Sequence, residues 1–255
     1  MRNAWIVCRR ELGSYFASPV AWLLVTMYSL IFGYFFWVYL QGFLLQGMEL
    51  QMMGRVAPSS INEEIIRPLL TNASFVGIFF IPLISMRLFA EEKRNGTIEL
   101  LSTSPVRDME VILGKWFAAT ILYCWLIFYS SISLGFLFAY GHPDWKPMAV
   151  TYLGMVLQGA ALLAVGTFIS TLTRNQIIAG AGTFAACLLL WVFSWVSSFN
   201  PAGWAQVLAY VSVITHFDSF GRGVLSSKDA VYYLSVMFLG LFFTARSLES
   251  LRWRS

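Results

Sequence analysis

The chain has 255 residues, of which 58% are hydrophobic and 12% are charged. Soluble domains carry about a quarter charged residues, so this composition excludes an ordinary soluble protein and favours one that is surrounded by lipid. The formal net charge of +4 does not form a dense basic patch with interleaved aromatic residues, which argues against nucleic-acid binding.

Six apolar stretches that are long enough to cross a bilayer follow one another along the chain. A hydrocarbon core of about 30 Å requires about 20 apolar residues in a helix, and Asn200-Pro201 divides an uncharged stretch that is too long for one crossing. We therefore predict an all-α polytopic membrane protein in which residues 1–255 form a single transmembrane domain. The predicted spans are residues 20–45, 68–90, 109–140, 147–173, 176–199 and 229–247.

The distribution of lysine and arginine predicts how these spans are oriented. If the N-terminus faces the cytoplasm, five of the 17 basic residues lie outside and the other twelve lie inside. The five outer residues are Arg55, Arg67, Lys146, Arg222 and Lys228. Because basic residues gather on the cytoplasmic side of membrane proteins, we predict that both termini are cytoplasmic.

The segment at residues 1–17 precedes the first span and is predicted to be an interfacial helix. Arg9 and Arg10 are expected near anionic lipid headgroups, and Glu11 lies off the apolar face of the helix. That apolar face consists of Trp5, Cys8, Leu12, Tyr15 and Phe16. The alternative is a plain extension of the first membrane-spanning helix.

The connection at residues 91–107 lies between the second and third spans, on the predicted cytoplasmic side. A turn signal at Asn95-Gly96 is followed by Thr97, which is a suitable N-cap for a short helix. Pro105 ends that helix, because the residue before a proline is disfavoured in the α conformation. The apolar residues of the helix are Ile98, Leu100 and Leu101. Such residues on a polar loop indicate a docking site for a protein partner, and the alternative is an ordinary solvated connection.

The segment at residues 201–220 lies before the last span, on the predicted outer side. It keeps apolar residues at helical spacing from Trp204 to Ile214, and we predict a re-entrant or interfacial helix. A seventh crossing here would place the basic C-terminus outside, against the charge distribution.

The connection between the second and third spans resembles the corresponding loop of ABC-2 type transporter permeases, in the run FAEEKRNGTIELLSTSPVRDMEVILGKW. Two further runs are similar to the gliding-motility-associated branch of that family. They are the N-terminal CRRELGSYFASPVAWL and the C-terminal HFDSFGRGVLSSKDAVYYLSVMFLGLFFTARSLESLRW. The resemblance covers essentially the whole chain and includes the order of the six spans.

This resemblance implies a permease subunit, not an enzyme, in the bacterial inner membrane. Separate P-loop ATPase subunits would bind ATP and magnesium, and a second permease, identical or related, would complete the membrane pathway. The loop between spans two and three would be the coupling helix that contacts the ATPase, and the interfacial helix with Arg9, Arg10 and Glu11 would also touch it. The implied coupling residues are Glu91, Glu92, Lys93, Arg94, Thr97, Ile98, Glu99, Leu100, Leu101 and Pro105.

A short outer loop, from Gly47 to Arg67, is where this sequence departs from a permease with a large periplasmic domain. If such a domain is required, a companion membrane protein would have to supply it, as one does in the gliding-motility-associated branch.

Catalytic and metal-binding motifs do not emerge from the sequence. Gly114-Lys115 lacks the upstream glycine and the following Ser or Thr of a phosphate loop, and His216 with Asp218 supplies too few ligands for a metal site. Two functions stay open: ATP-driven export, and a membrane scaffold that transmits force to an external protein without moving a solute. The sequence does not identify a cargo, because one membrane plan serves many substrates.

Overall fold

The regular secondary structure is helical throughout the part of the chain that the structure describes. The computed structural model describes residues 2–54, 60–97, 107–141, 143–199 and 203–252. Within these residues six helical stretches are long and apolar enough to cross a membrane. They are Pro19–Met52, Asn62–Asn95, Asp108–Tyr140, Trp145–Leu172, Gln176–Val196 and Ser227–Ser250. The prediction of an all-α polytopic membrane protein is therefore confirmed.

Eleven α-helices are distinguished within the described residues. They are α1 (Arg2–Ala17), α2 (Pro19–Met52), α3 (Arg67–Ser85), α4 (Ala90–Asn95), α5 (Asp108–Ser131), α6 (Gly135–Tyr140), α7 (Trp145–Leu172), α8 (Gln176–Phe199), α9 (Gly203–Val211), α10 (Val213–Gly221) and α11 (Ser227–Arg252). A π-helical turn at Asn62–Ile66 precedes α3, and a 3-10 turn at Ile132–Leu134 separates α5 from α6.

The N-terminal helix α1 is a separate helix rather than an extension of α2. Ser18 adopts an extended conformation (φ −89°, ψ 143°) and its hydroxyl accepts the Val20 N–H at 3.3 Å. Pro19 then starts α2, a position at which the missing proline N–H costs nothing. On the predicted apolar face, Cys8 and Tyr15 are buried within the chain and Trp5 is 63% exposed. The reason is that α1 packs against α5.

The helices α3 and α7 form the centre of the bundle, and α7 packs against α3, α5, α8 and α11. The closest packing is at Tyr123 of α5, which is buried between Gly77 of α3 and Gly159 of α7. A Cβ atom on Gly159 would lie 2.0 Å from the Tyr123 ring, and one on Gly77 would lie 2.6 Å from its hydroxyl. Small residues thus allow three membrane-spanning helices to meet around one aromatic side chain.

Two ends of the bundle can be distinguished by the hydrogen bonds between helix termini. The N-terminal end holds α1, α4 and the last turns of α7 and α11, where Thr171 Oγ1 donates to Ser247 Oγ at 2.8 Å. The opposite end holds α9, α10 and the start of α7, where Thr151 Oγ1 donates to the Phe220 carbonyl at 2.9 Å. Helix α1 and the last turns of α11 therefore lie at the same end.

The segment at residues 201–220, predicted as a re-entrant or interfacial helix, forms two helices, α9 and α10, in its described part. They are separated at Ser212, which is extended (φ −68°, ψ 131°). His216 on α10 is 2% exposed; its Nδ1 lies 2.6 Å from Asp229 Oδ1, and its Nε2 lies 2.8 Å from the Tyr210 carbonyl oxygen. Asp218 instead pairs with Arg222 at 2.6 Å.

The combination of His216 with Asp218, considered as a metal site, is therefore not formed. Asp218 is engaged by Arg222, and His216 faces a carboxylate on α11 instead. Among the described residues there is no group of three or more His, Cys, Asp or Glu side chains that could hold a metal ion.

Candidate functional site

The N-terminal helix α1 lies unusually close to the first half of α5. At Gly114 a Cβ atom would lie 2.7 Å from the backbone oxygen of Ala4 and 2.8 Å from the Cβ of Val7, so a larger residue requires the helices to move apart. Asn3 Nδ2 also donates to Glu110 Oε2 at 3.0 Å. Gly114, which is not part of a phosphate loop, thus serves to seat α1 on the third span.

A buried lysine joins three elements at the N-terminal end of the bundle. Lys115 Nζ on α5 lies 2.8 Å from Glu11 Oε1 on α1 and 2.9 Å from Glu92 Oε1 on α4. Its side chain is 3% exposed, and its ammonium lies 5.4 Å from the centre of the Phe89 ring. We call Glu11, Glu92 and Lys115 the Lys115 cluster. It connects α1, the base of the predicted coupling loop and the third span.

Helix α4 is also fixed to the end of α7, the fourth span. The N–H groups of Phe89 and Ala90 each donate to Ser170 Oγ at 3.0 Å, and Lys93 Nζ donates to the Thr171 carbonyl. A positive charge next to the last carbonyls of a helix is stabilised by the helix dipole. The base of the predicted coupling loop is therefore bonded to both α5 and α7.

Tyr15 ties α1 to the end of α3. Its hydroxyl donates to the Ile84 carbonyl at 3.0 Å, close to the turn at which α3 ends. A tyrosine phenol is protonated at neutral pH, and burial raises the pKa of Tyr15 further above its ordinary value, so the hydroxyl is a hydrogen-bond donor. Nearby, Arg87 Nε pairs with Glu91 Oε2 at 3.0 Å, one helical turn apart.

Helix α4 ends at a left-handed glycine. Gly96 has φ +71°, a conformation that costs other residues free energy because Cβ crowds the carbonyl oxygen. Thr97, predicted as the N-cap of the next helix, donates its N–H to the Glu92 carbonyl at 3.0 Å and so closes α4. The predicted coupling residues Ile98, Glu99, Leu100, Leu101 and Pro105 lie outside the described residues.

Replacing Gly96 with alanine should destabilise the protein by about 1 kcal/mol, because alanine must adopt the left-handed conformation. Gly96→Asn should cost less, since asparagine tolerates that conformation better. Thermal denaturation of both variants in detergent measures the difference. An alanine variant as stable as the wild type would show that α4 does not need this ending.

The exposed side chains around the Lys115 cluster are basic and apolar. Arg9 and Arg10 on α1 and Arg94 on α4 are exposed, and Trp5 and Ile6 are 63% and 59% exposed. By contrast, Glu91, Glu92 and Lys93 contact other parts of this chain. The structure thus divides the ionic residues predicted to face a partner into an inner, bonded set and an outer, exposed set.

The family model described as ABC-2 family transporter protein matches residues 5–244. The chain belongs to the ABC-2 family of transporter proteins. It is also 29% identical over 171 residues to the probable multidrug ABC transporter permease YbhR of Escherichia coli strain K12, and equally to that of strain O157:H7. The matched region covers 65% of this chain and 44% of the relative, so the chain spans less than half the length of the curated relatives it matches.

Membership of the ABC-2 family makes this chain a permease-type membrane protein. The predicted resemblance to ABC-2 permeases is confirmed. The assignment to the gliding-motility-associated branch is finer than these matches and stays a prediction.

Two residues that organise this end of the ABC-2 chain, Lys115 and Ser170, had no predicted role, and Tyr15 was predicted only as part of the apolar face of α1. For Lys115 the sequence gives one weak indication of a structural role, because the residue directly precedes the apolar run that begins at Trp116. A lysine there is also compatible with snorkelling to the headgroups. Only the folded chain shows that the ammonium points inward to two carboxylates.

Proposed function

We propose that this chain is the membrane subunit of an ATP-driven exporter and that its ATPase docks on α1, α4 and the loop after α4. The observation that carries the proposal is the Lys115 cluster. It supports a mechanical role because a force applied to either α1 or α4 reaches the third span through one buried ammonium group, 2.8 and 2.9 Å from its two carboxylates.

Transmission then follows the bonds of α4. Movement of the segment from Thr97 to Leu101, driven by closure of the ATPases, displaces α4. Since α4 is bonded to Lys115 of α5 and to Ser170 of α7, the third and fourth spans move with it. The free energy available is the difference in contact that the two ATPase states make with this surface.

The docking surface itself uses the exposed set of ionic residues. Arg9, Arg10 and Arg94 provide positive charge for an acidic surface of the ATPase, while Ile98 and Leu101 supply apolar burial. Glu91, Glu92 and Lys93 also orient α4 through their contacts within the chain.

The remaining parts of the transporter follow from the same proposal. ATP and magnesium bind to the partner ATPase, both termini of this chain face the cytoplasm of a bacterium, and the chain lies in the inner membrane. A second permease packs beside α2 and α8, two of the three least buried spans, which are 22% and 17% buried against 67% for the span Asn62–Asn95. Within the gliding-motility-associated branch, a companion protein with a large periplasmic domain completes the assembly.

The experiment is affinity purification of the tagged chain from gently solubilised membranes, followed by identification of the associated proteins. A P-loop ATPase should copurify with the wild type. Ile98→Asp should release most of it, because a charge replaces apolar contact in the docking segment. The spans should stay folded, which thermal denaturation of the purified variant checks.

Leu225→Asp provides the control, because Leu225 is 62% exposed at the opposite end of the bundle and its substitution should leave the ATPase bound. An Ile98→Asp chain that retains the ATPase and transports normally would contradict the proposed docking site. Recovery of an external-domain protein with an ATPase that no substrate stimulates would favour the force-transmitting scaffold instead.

A further inference from the structure

A groove opens at the opposite end of the bundle, between α9 and the first turns of α11. Its volume is about 410 Å³. The residues that line it are Tyr210, Ser227, Lys228, Val231, Tyr232 and Ser235. The groove lies at the other end of the bundle from the Lys115 cluster, and the proposed coupling mechanism does not involve it.

The walls of this groove are held in place by a polar network around the buried His216. The Tyr232 ring stacks on His216 at a centroid distance of 3.9 Å, and the Tyr232 hydroxyl donates to the Val211 carbonyl at 2.5 Å. His216 reaches both sides, through Asp229 on α11 and the Tyr210 carbonyl on α9. The two helices are thus joined beneath the groove, and a ligand would meet a preformed site.

The groove carries a positive charge that the described residues do not neutralise. Lys228 Nζ lies 5.0 Å from the centre of the Tyr210 ring, and among the described residues no carboxylate forms an ion pair with it. The neighbouring Asp229 is engaged by His216, and Asp218 is engaged by Arg222. An ammonium group next to serine hydroxyls is suited to bind a phosphate group.

From Lys228 toward its C-terminus, α11 has exposed apolar side chains. Val231, Leu234 and Phe238 are 61%, 55% and 69% exposed on α11, which is one of the candidate membrane spans. At a rise of 1.5 Å per residue, Phe238 lies about 15 Å along the helix from Lys228, roughly half the thickness of a hydrocarbon core. The surface is therefore polar at one end and apolar over the length of an acyl chain.

We propose that the groove between α9 and α11 binds an anionic phospholipid. Lys228 and Ser227 contact its phosphate, and Tyr210 and Tyr232 flank the headgroup at the interface, where tyrosine is favoured. An acyl chain lies along Val231, Leu234 and Phe238. Because Lys228 has no carboxylate partner among the described residues, the site favours a lipid with net negative charge over a zwitterionic one.

The test measures lipid retained by the purified full-length chain in mixed micelles of phosphatidylglycerol and phosphatidylcholine, by native mass spectrometry. The wild type should retain phosphatidylglycerol preferentially. Lys228→Gln should lower its occupancy about tenfold, the effect of losing one charge-assisted hydrogen bond. Lys146→Gln removes an exposed lysine of α7 outside the groove and should leave the occupancy unchanged.

A second variant and a competitor separate a lipid from a free anion. Val231→Trp fills the apolar part of the groove and should reduce retention while Lys228 is intact; inorganic phosphate at millimolar concentration should not displace the lipid. Equal retention by wild type and Lys228→Gln, or equal retention of the two lipids, would overturn the proposal. Displacement by inorganic phosphate, with no effect of Val231→Trp, would overturn it in favour of a phosphate site.

Discussion

Replacing Lys115 with methionine should lower the free energy of unfolding by about 3–5 kcal/mol, because it leaves two carboxylates without their shared cation in a site where the lysine is 3% exposed. Methionine keeps much of the apolar stem, so the loss comes mainly from the charge. Denaturation of the purified chain in detergent measures the change. The same variant should lose coupled ATPase activity in the assembled transporter, since α1 and α4 are no longer joined through α5.

A matched surface pair provides the control for this prediction. Arg246 and Glu249 are also 2.8 Å apart, and Arg246 lies 5.4 Å from the Phe242 ring, as Lys115 lies from Phe89. The Arg246 and Glu249 side chains, however, are 65% and 49% exposed. Arg246→Met should therefore cost no more than about 1 kcal/mol, the usual range for an exposed pair.

Removing the stranded charges tests the cause of the Lys115 effect. A triple variant with Lys115→Met, Glu11→Gln and Glu92→Gln should be more stable than Lys115→Met alone, because uncharged side chains do not need the missing cation. A triple variant that is no more stable than Lys115→Met would show that the two carboxylates left without a cation are not what destabilises the single variant.

The six spans could be predicted from the sequence because their signal is local. A bilayer demands about 20 apolar residues in succession, and Trp145–Leu172 and the other candidate spans meet that demand whatever their neighbours are. The break before α2 is equally local, since Ser18 and Pro19 are a cap and a helix-starting residue.

The contacts of the candidate site could not be predicted, because they join residues that are distant in the sequence. Glu11 and Lys115 are 104 positions apart, and Ala90 and Ser170 are 80 apart. In the sequence, the charged run that contains Lys93 is typical of a solvated loop, because the sequence does not show that α7 ends beside it. The sequence interpretation rejected a metal site at His216 and the nearby Asp218 but could not identify the partner of His216, which in the folded chain is Asp229.

The seat of α1 on α5 depends on a single small residue, and this shape requirement was also invisible in the sequence. Glycine in a membrane span is common and usually serves helix packing. At Gly114 the atom that a side chain would meet is the backbone oxygen of Ala4, which cannot rotate away as a side chain can. The whole of α1 must therefore shift if Gly114 gains a Cβ atom.

Gly114→Ala should destabilise the protein by about 3 kcal/mol, at the upper end of the range for overpacking, and should detach α1. Cys8 reports this directly, because it is 1% exposed on α1. Burial and, to a smaller extent, the Glu11 carboxylate raise the pKa of its thiol, so little reactive thiolate forms at neutral pH. Detachment should both expose Cys8 and lower its pKa, and its labelling by a polar maleimide should accelerate.

Peptide mapping of the labelled chain distinguishes Cys8 from Cys124 and Cys187. Gly13→Ala is the matched control, since it adds the same methyl group to α1 where nothing lies within 4 Å; it should leave labelling slow and stabilise the helix slightly. If Gly114→Ala labels at the wild-type rate, α1 is not held by close contact with α5. The Lys115 cluster would then be the contact that keeps α1 in place, and Lys115→Met should accelerate labelling of Cys8 where Gly114→Ala does not.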